Sequence, residues 1–365
     1  MKKMLATVLT AGLTAAAGAQ EAKPRVSVDV LFVLDTTGSM GGMLEAAKTK
    51  VWAIANEIAK GKPTPRIRVG LVAYRDRSDE YVTKVTDLTT DLDKMYAELL
   101  ALKADGGGDT PEHVLKGLDD AAEKISWSSD PKTFKVLYLV GDAPAHTDYG
   151  DTPSMDAILQ KLMAKGVVVN AVQCGEAPDT REQFAKIARL GEGHLIALAQ
   201  DAGGAAPTTP FDTLLSELNG RLEGTTLAFG ARREATMASL ASVRGMMAMA
   251  APAAAAERAS FKAAGGGGFA AESDLLQAVE DKRADLGKLK DAELPQNLRG
   301  MDEAGRKAAL GKIKAEREAL KKEIAKVAGE RAHWLSKNAA PKKDAFDAKL
   351  VSALKEQAAK KGISF

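Results

Sequence analysis

The sequence predicts an α/β protein: a doubly wound, mainly parallel sheet with helices on both faces, followed by a small helical, coiled-coil-like C-terminal region. Three observations lead there. Residues 30–34 are an uninterrupted apolar run, Val-Leu-Phe-Val-Leu, which suits a strand buried on both faces of a parallel sheet. Strand-like and helix-like segments of ordinary length then alternate as far as residue 222, the pattern of repeated βαβ units. Near Gly224 the composition changes, and from Leu310 apolar residues recur at a spacing of three and four.

Taken in order, the first strand stops on Asp35 and a helix is expected over 41–60. Residues 67–74 (Ile-Arg-Val-Gly-Leu-Val-Ala-Tyr) and 81–87 read as strands, close enough together for one antiparallel edge pair. Helices are expected over 91–103 and 111–125, a strand over 134–140, a helix over 154–165 and a strand over 167–173. A helix over 179–190, a short strand over 194–199 and a closing helix over 211–222 complete the series. Residues 226–270 are rich in Ala, Met and Gly and read as a loosely ordered linker, with 237–249 able to form a short helix. Beyond it, 273–289 looks helical. Leu310, Ile313, Arg317, Leu320, Ile324, Val327, Arg331 and Trp334 then form a heptad seam broken by two arginines. A helical hairpin or small coiled coil follows, with self-association through it as one outcome; Pro341 ends the seam and 344–360 is a last, charged helix.

A chain of 365 residues is long for one domain and comfortable for two. Met1-Lys2-Lys3, the apolar stretch 4–16 and Ala17-Gly18-Ala19 read as a secretory signal peptide cut after Ala19. That places the mature protein outside the cytoplasm, secreted or periplasmic. No later run reaches 18 apolar residues, so no stable membrane insertion is expected. Cys174 is the single cysteine; it has no partner for an internal disulfide and reads as a buried, inert thiol. The formal charge of +2 falls near zero once Lys2 and Lys3 leave, and aromatics are 5%. A nucleic-acid surface is thereby disfavoured.

The chemistry lies just past the first strand. Asp35, Thr37 and Ser39 offer a carboxylate and two hydroxyls at alternate positions, where open α/β sheets bind ligands. Alone, these residues could equally cap the helix that follows. A dinucleotide loop is disfavoured because G-x-G-x-x-G is absent. An aspartyl-phosphate phosphatase would want a second Asp where Thr37 stands. Two further loops carry matching residues: Gly106-Gly107-Gly108-Asp109-Thr110-Pro111-Glu112, and Gly141-Asp142-Ala143-Pro144-Ala145-His146 after the strand at 134–140.

Asp35-Thr36-Thr37-Gly38-Ser39-Met40, then Gly-Gly-Gly-Asp-Thr110-Pro, then Val140-Gly141-Asp142, in this order, resemble the von Willebrand factor type A domain over about residues 24–225. Its metal-ion-dependent adhesion site draws on these three loops. The resemblance implies Asp35, Thr37, Ser39, Thr110 and Asp142 as ligands, the last directly or through water. Thr37 stands where members more often carry Ser, and Asp142-Ala143-Pro144 replaces the usual Asp-Gly. The Gly-Asp-Ala-Pro-x-His form is similar to that of bacterial members and of some linked to atypical kinases.

Two carboxylates and three hydroxyls suit a hard divalent cation, Mg²⁺ first, with Mn²⁺ or Ca²⁺ as alternatives, and would leave a coordination position open. The function expected is that of an extracytoplasmic adhesion or scaffold module that captures an Asp or Glu of a protein partner. The alternative is a metal-dependent hydrolase with His146 or His113 as base; hydrogen bonding at a loop or helix end is the plainer role for both. Asp109 and Glu112 either tune the charge of the site or cap the helix at 111, capping being the plainer role; Arg75, Asp76 and Arg77, at the same sheet end, could contact a ligand but read first as surface ion pairs. Trp52, Trp127 and Trp334 read as packed residues. No G-x-S-x-G elbow suggests a serine hydrolase.

Overall fold

The computed structural model describes residues 26–63, 65–198, 208–249, 252–264, 273–338 and 346–364. The signal peptide expected over 1–19 lies outside the described residues. Six strands form one sheet: β1 (Ser27–Asp35), β2 (Arg66–Tyr74), β3 (Thr83–Thr89), β4 (Phe134–Gly141), β5 (Val167–Cys174) and β6 (Glu192–Leu198). Their order is β3-β2-β1-β4-β5-β6. Every neighbouring pair is parallel except β2 with β3, so the antiparallel edge lies where the sequence predicts it.

Eleven helices are described: α1 (Leu44–Ala59), α2 (Leu92–Ala101), α3 (Val114–Glu123), α4 (Met155–Ala164), α5 (Pro178–Leu190), α6 (Asp212–Gly224), α7 (Arg233–Met249), α8 (Pro252–Ala263), α9 (Leu275–Glu280), α10 (Glu303–Asn338) and α11 (Phe346–Ala359). β1 shows why the run 30–34 carries no alternation. Val30, Phe32 and Leu34 face one layer of core, Leu31 and Val33 the other, and all are closed to solvent. α1 and α2 cover the first face through Ile54, Ile58, Tyr96 and Leu99. α3, α4 and α5 cover the second through Leu118, Ile158, Leu162 and Phe184. Burial on both sides is the main stabilising term for such a sheet. Cys174 ends β5 fully buried, and burial pushes its thiol well above its ordinary pKa, in keeping with an inert role.

Chain order reverses at β1. The chain runs outward from β1 to β2 and β3, then returns to β4 on the other side and continues to β5 and β6. The carboxyl ends of β1 and β4 therefore adjoin at the switch point, where an α/β sheet leaves a crevice. Asp35 closes β1 and Gly141 closes β4, so the first and third candidate loops leave the sheet side by side.

The C-terminal third differs from expectation in three ways. The helix expected over 273–289 is confined to α9, which ends at Glu280. The linker expected over 226–270 holds α7 and α8, and α8 is docked against the domain: Ala255, Ala256, Ala259 and Phe261 are buried. Small alanines let a helix approach closely, so a tract that reads as low complexity serves as a packing face. The heptad seam does not pair with a helix of its own kind. Leu320, Ile324 and Val327 of α10 pack against Leu215, Leu218 and Leu222 of α6 and Ala256 and Ala259 of α8.

The two seam arginines are satisfied within the chain. Arg317 reaches Asp274 at 2.6 Å, and Arg331 reaches Asp212 and Glu257, each at 2.7 Å. α11 continues the first face of the sheet, with Leu354, Ala358 and Ile363 in the same cluster as β1, and Gln357 exchanges two hydrogen bonds with Asn170 of β5. Trp127 follows α3 rather than lying in it and donates its ring N–H to Ala121. Trp334 is half-buried on α10, and the side chain of Trp52 lies outside the described residues.

Candidate metal centre

Four of the five expected ligand residues lie in one line of polar contacts, in which two hydroxyl-to-carboxylate hydrogen bonds meet where the two hydroxyl oxygens face each other. Asp35 Oδ1 accepts from the Thr37 backbone N–H at 2.9 Å and from Thr37 Oγ1 at 2.7 Å. Thr37 Oγ1 lies 3.1 Å from Ser39 Oγ, and Ser39 Oγ donates to Asp142 Oδ1 at 2.9 Å across 103 positions of sequence. A tight turn after β1 brings the first three together: Gly38–Gly42 is a single turn of 3-10 helix, with Thr37 in an extended conformation just before it. No side chain caps that turn or α1, so the capping reading of this loop does not hold.

The fifth residue is placed differently. Thr110 is exposed and makes none of these hydrogen bonds. Its loop is nevertheless fixed to the first one. The Gly38 N–H donates to Gly106 at 3.0 Å, and the Asp105 N–H donates to Thr36 at 3.1 Å. Asp79 holds the loop from the other side by accepting from Gly107 N–H at 3.0 Å. Gly106 takes φ 74°, and a Cβ there would stand 2.2 Å from Asp79 Oδ1, so only glycine fits.

The environment of the carboxylates bears on what the site could hold. Asp35 Oδ2 is buried beside the Tyr74 hydroxyl, and neither atom has a partner elsewhere. A Cβ on Gly141 would lie 3.1 Å from that carboxylate oxygen, so β4 presses close against it. Burial pushes the Asp35 carboxyl up to about 7, with the charge of Asp142 adding to the effect and the Thr37 hydrogen bonds opposing it. Burial also raises Asp142. Two desolvated carboxylates converging with two hydroxyls are what a hard cation would satisfy. The residues present fit such an ion.

Of the two roles open to Glu112, the structure favours the charge of the site over the helix cap. Expected first as a helix cap, Glu112 precedes α3 by two residues and is buried. Its side chain lies against Thr37: a Cβ on Gly107 would meet Glu112 Oε1 at 2.8 Å and Thr37 Cβ at 3.1 Å. Burial, then the charges of Asp35, Asp76 and Asp79, push Glu112 up to about 8. Its backbone bonds to the third loop, with Glu112 N–H donating to Pro144 and His146 N–H donating to Glu112, each at 2.9 Å.

The surface setting expected at Arg75 and Asp76 is a second correction, although Arg75 does reach exposed Glu80 at 3.8 Å. Arg75 and Asp76 are both buried. Arg75 donates to the carbonyls of Thr36 at 3.1 Å and Lys103 at 2.9 Å, fixing the first two loops to the end of β2. Arg77 does form a surface pair, with Asp151 at 2.8 Å. His113 is buried, with Nε2 3.2 Å from Asp151 and its ring edge-on to Tyr149; its side chain does not cap α3. His146 stacks on Tyr149 at 3.9 Å, and its Nδ1 bonds Asp148 at 2.8 Å. Asp109 is exposed and faces His146 Nε2 at 3.8 Å rather than capping a helix.

A family model described as von Willebrand factor A domain matches residues 29–209. These residues form a von Willebrand factor A domain. Curated relatives include von Willebrand factor A domain-containing protein 7 of Mus musculus, 27% identical over 229 residues, covering 54% of this chain and 25% of that protein. Another is alpha-protein kinase vwkA of Dictyostelium discoideum, 29% identical over 127 residues, covering 33% of this chain and 19% of that protein. The chain thus spans about a quarter or less of the curated relatives it matches.

Among solved structures, proximal thread matrix protein 1 of the mussel byssus, with a zinc-occupied MIDAS motif, is 18% identical over 48% of this chain and 43% of that one, with a TM-score of 0.39. The SpRpn10 VWA domain is 18% identical over 50% of this chain and 96% of that one, with a TM-score of 0.37. VWA domains are generally protein-interaction modules and typically non-catalytic. Among the described residues, no helix is long and apolar enough to cross a membrane.

Proposed function

We infer that this VWA domain is an extracytoplasmic docking module that captures an acidic side chain of a protein partner through a divalent metal. The observation that carries the reading is the convergence of two carboxylates and two hydroxyls at the adjoining ends of β1 and β4: Thr37 donates to Asp35, Ser39 donates to Asp142, and the two hydroxyl oxygens face each other at 3.1 Å. Asp35, Thr37, Ser39 and Asp142 would hold the ion, with Thr110 reaching it from the second loop. Mg²⁺ suits this all-oxygen set, with Mn²⁺ and Ca²⁺ as alternatives. The ion would supply an open coordination position for a carboxylate oxygen.

The residues of the chain do the rest. Thr37 N–H and Oγ1 orient Asp35, Ser39 Oγ orients Asp142, and the exposed Ser39 marks the side from which a partner arrives. The leader read over 1–19, cut after Ala19, supports the extracytoplasmic location. The alternative, a hydrolase using His113 or His146 as base, is less well supported. His113 is closed to solvent and bonded to Asp151, and His146 Nδ1 is taken by Asp148.

Affinity capture from an envelope extract, with Mg²⁺ or with EDTA, tests this reading. A partner retained by the wild type in Mg²⁺ and lost both with EDTA and with Asp142→Ala supports it. Recovery of every partner regardless of chelation overturns it.

A further inference from the structure

A second cluster stands beside the oxygen-only site and belongs to none of its ligands. Asp76, after β2, Asp109, in the glycine-rich loop, and His146, in the third loop, each direct one donor atom to a common point, all within 4.8 Å of one another. His146 Nε2 lies 3.8 Å from Asp76 Oδ2 and 3.8 Å from Asp109 Oδ2. That is too long for a hydrogen bond. It fits two ligands of one ion, because bonds of about 2.1 Å place neighbouring donors about 3.0–4.2 Å apart. His146 is 7% exposed, and its Nε2, aimed into this space, is buried with no hydrogen-bond partner; so is Asp76 Oδ1.

The surroundings hold these groups in place. His146 donates Nδ1–H to Asp148 at 2.8 Å, which leaves the Nε2 lone pair facing Asp76 and Asp109, the arrangement that orients a metal-binding imidazole. Tyr149 stacks on the imidazole at 3.9 Å and donates its hydroxyl to Asp76 Oδ2 at 2.9 Å. The nearby cations are engaged elsewhere: Arg77 lies on Tyr149 and pairs with Asp151, and Arg75 bonds two carbonyls. Only Asp109 is exposed, and it leaves one side open to solvent.

We propose that Asp76, Asp109 and His146 bind a second divalent cation, of the Zn²⁺ class, independently of the oxygen-only site. Two carboxylates balance the charge of the ion, and an imidazole ligand favours Zn²⁺ or Co²⁺ over Mg²⁺. The competing state is His146 held among Asp76, Asp109 and Asp148 with no ion.

Chelator-treated full-length protein is titrated with Co²⁺ in excess Mg²⁺, which keeps the oxygen-only site filled, and again as Asp142→Ala, in which that site is disabled. Visible d–d absorption and Co²⁺ stoichiometry are read, with circular dichroism as the control for folding. One Co²⁺ per chain is expected in both. Asp109→Asn, a surface change, and His146→Phe, which keeps the stack on Tyr149, are each expected to weaken it at least tenfold, and Zn²⁺ to displace it. Absence of a Co²⁺ band, or equal Co²⁺ binding by Asp109→Asn and wild type, overturns the proposal and leaves the ion-free cluster.

Discussion

Replacing Asp35 by Asn tests the electrostatic character of the site without altering its shape. In the metal-free protein, burial holds the Asp35 carboxyl near 7 against an ordinary value of 3.8. The folded form therefore keeps a proton that the unfolded chain releases. The contribution of this group to stability is fully present below about pH 4 and is lost as the pH rises through about 7. Once the group is ionised, the loss reaches about 4 kcal/mol at most. Between about pH 5 and about pH 8 the wild type should lose roughly 2–3 kcal/mol through this residue.

Asn keeps the Oδ1 acceptor for Thr37, and its amide would occupy the position of Oδ2 beside the Tyr74 hydroxyl, so the loop survives. Urea unfolding in chelator at the two pH values reads the difference. The fall in stability should be smaller in Asp35→Asn than in wild type by roughly that amount, and added Mg²⁺ should raise the midpoint of the wild type alone. Equal pH slopes in the two proteins would refute the claim that Asp35 is held desolvated for a cation.

The same logic sets the pH dependence of binding. Asp35 near 7 and Glu112 near 8 mean that protons compete with the metal, so Mg²⁺ affinity measured by calorimetry should climb from about pH 6 to about pH 9 and level off above. Glu112→Gln should flatten the upper part of that rise. Arg331→Ala leaves Asp212 buried without its cation, and a loss of about 3–5 kcal/mol in urea unfolding is expected; a loss under about 1 kcal/mol would deny α10 its docked position. A chain ending at residue 270 would uncover Leu215, Leu218 and Leu222 of α6 and the sheet face under Leu354. It should aggregate or bind a hydrophobic dye, and a monodisperse, cooperatively folding product would count against the packing described here.

The sheet was legible because β1 and β4 are buried on both faces and so carry long apolar runs, and because every strand ends within a few residues of a turn signal. The three loops were legible because hydroxyls and carboxylates at the carboxyl ends of strands have few structural uses. Glu112 was legible only as one of two roles: after Pro111 it reads first as a helix cap, and only the tertiary bonds to Pro144 and His146 turn it inward. Asp76, Asp109 and His146 lie on three separate loops, so no spacing rule could join them. The docking of α10 was hidden by Arg317 and Arg331, which look like breaks in a seam until Asp274, Asp212 and Glu257 are seen to receive them. The buried face of α8 was hidden because alanine is equally at home in a linker.

Water-proton relaxation with Mn²⁺ bears most directly on the central claim, because it reports both whether the ion binds and whether it keeps an exchangeable water. Chelator-treated wild type, with Zn²⁺ added first to fill any nitrogen-containing site, should bind Mn²⁺ with enhanced relaxation that falls as an acidic peptide is added, and Asp142→Ala should show neither effect. Enhancement of equal size in Asp142→Ala, or a wild-type signal that the peptide leaves unchanged, would contradict metal-mediated capture of a carboxylate at this site.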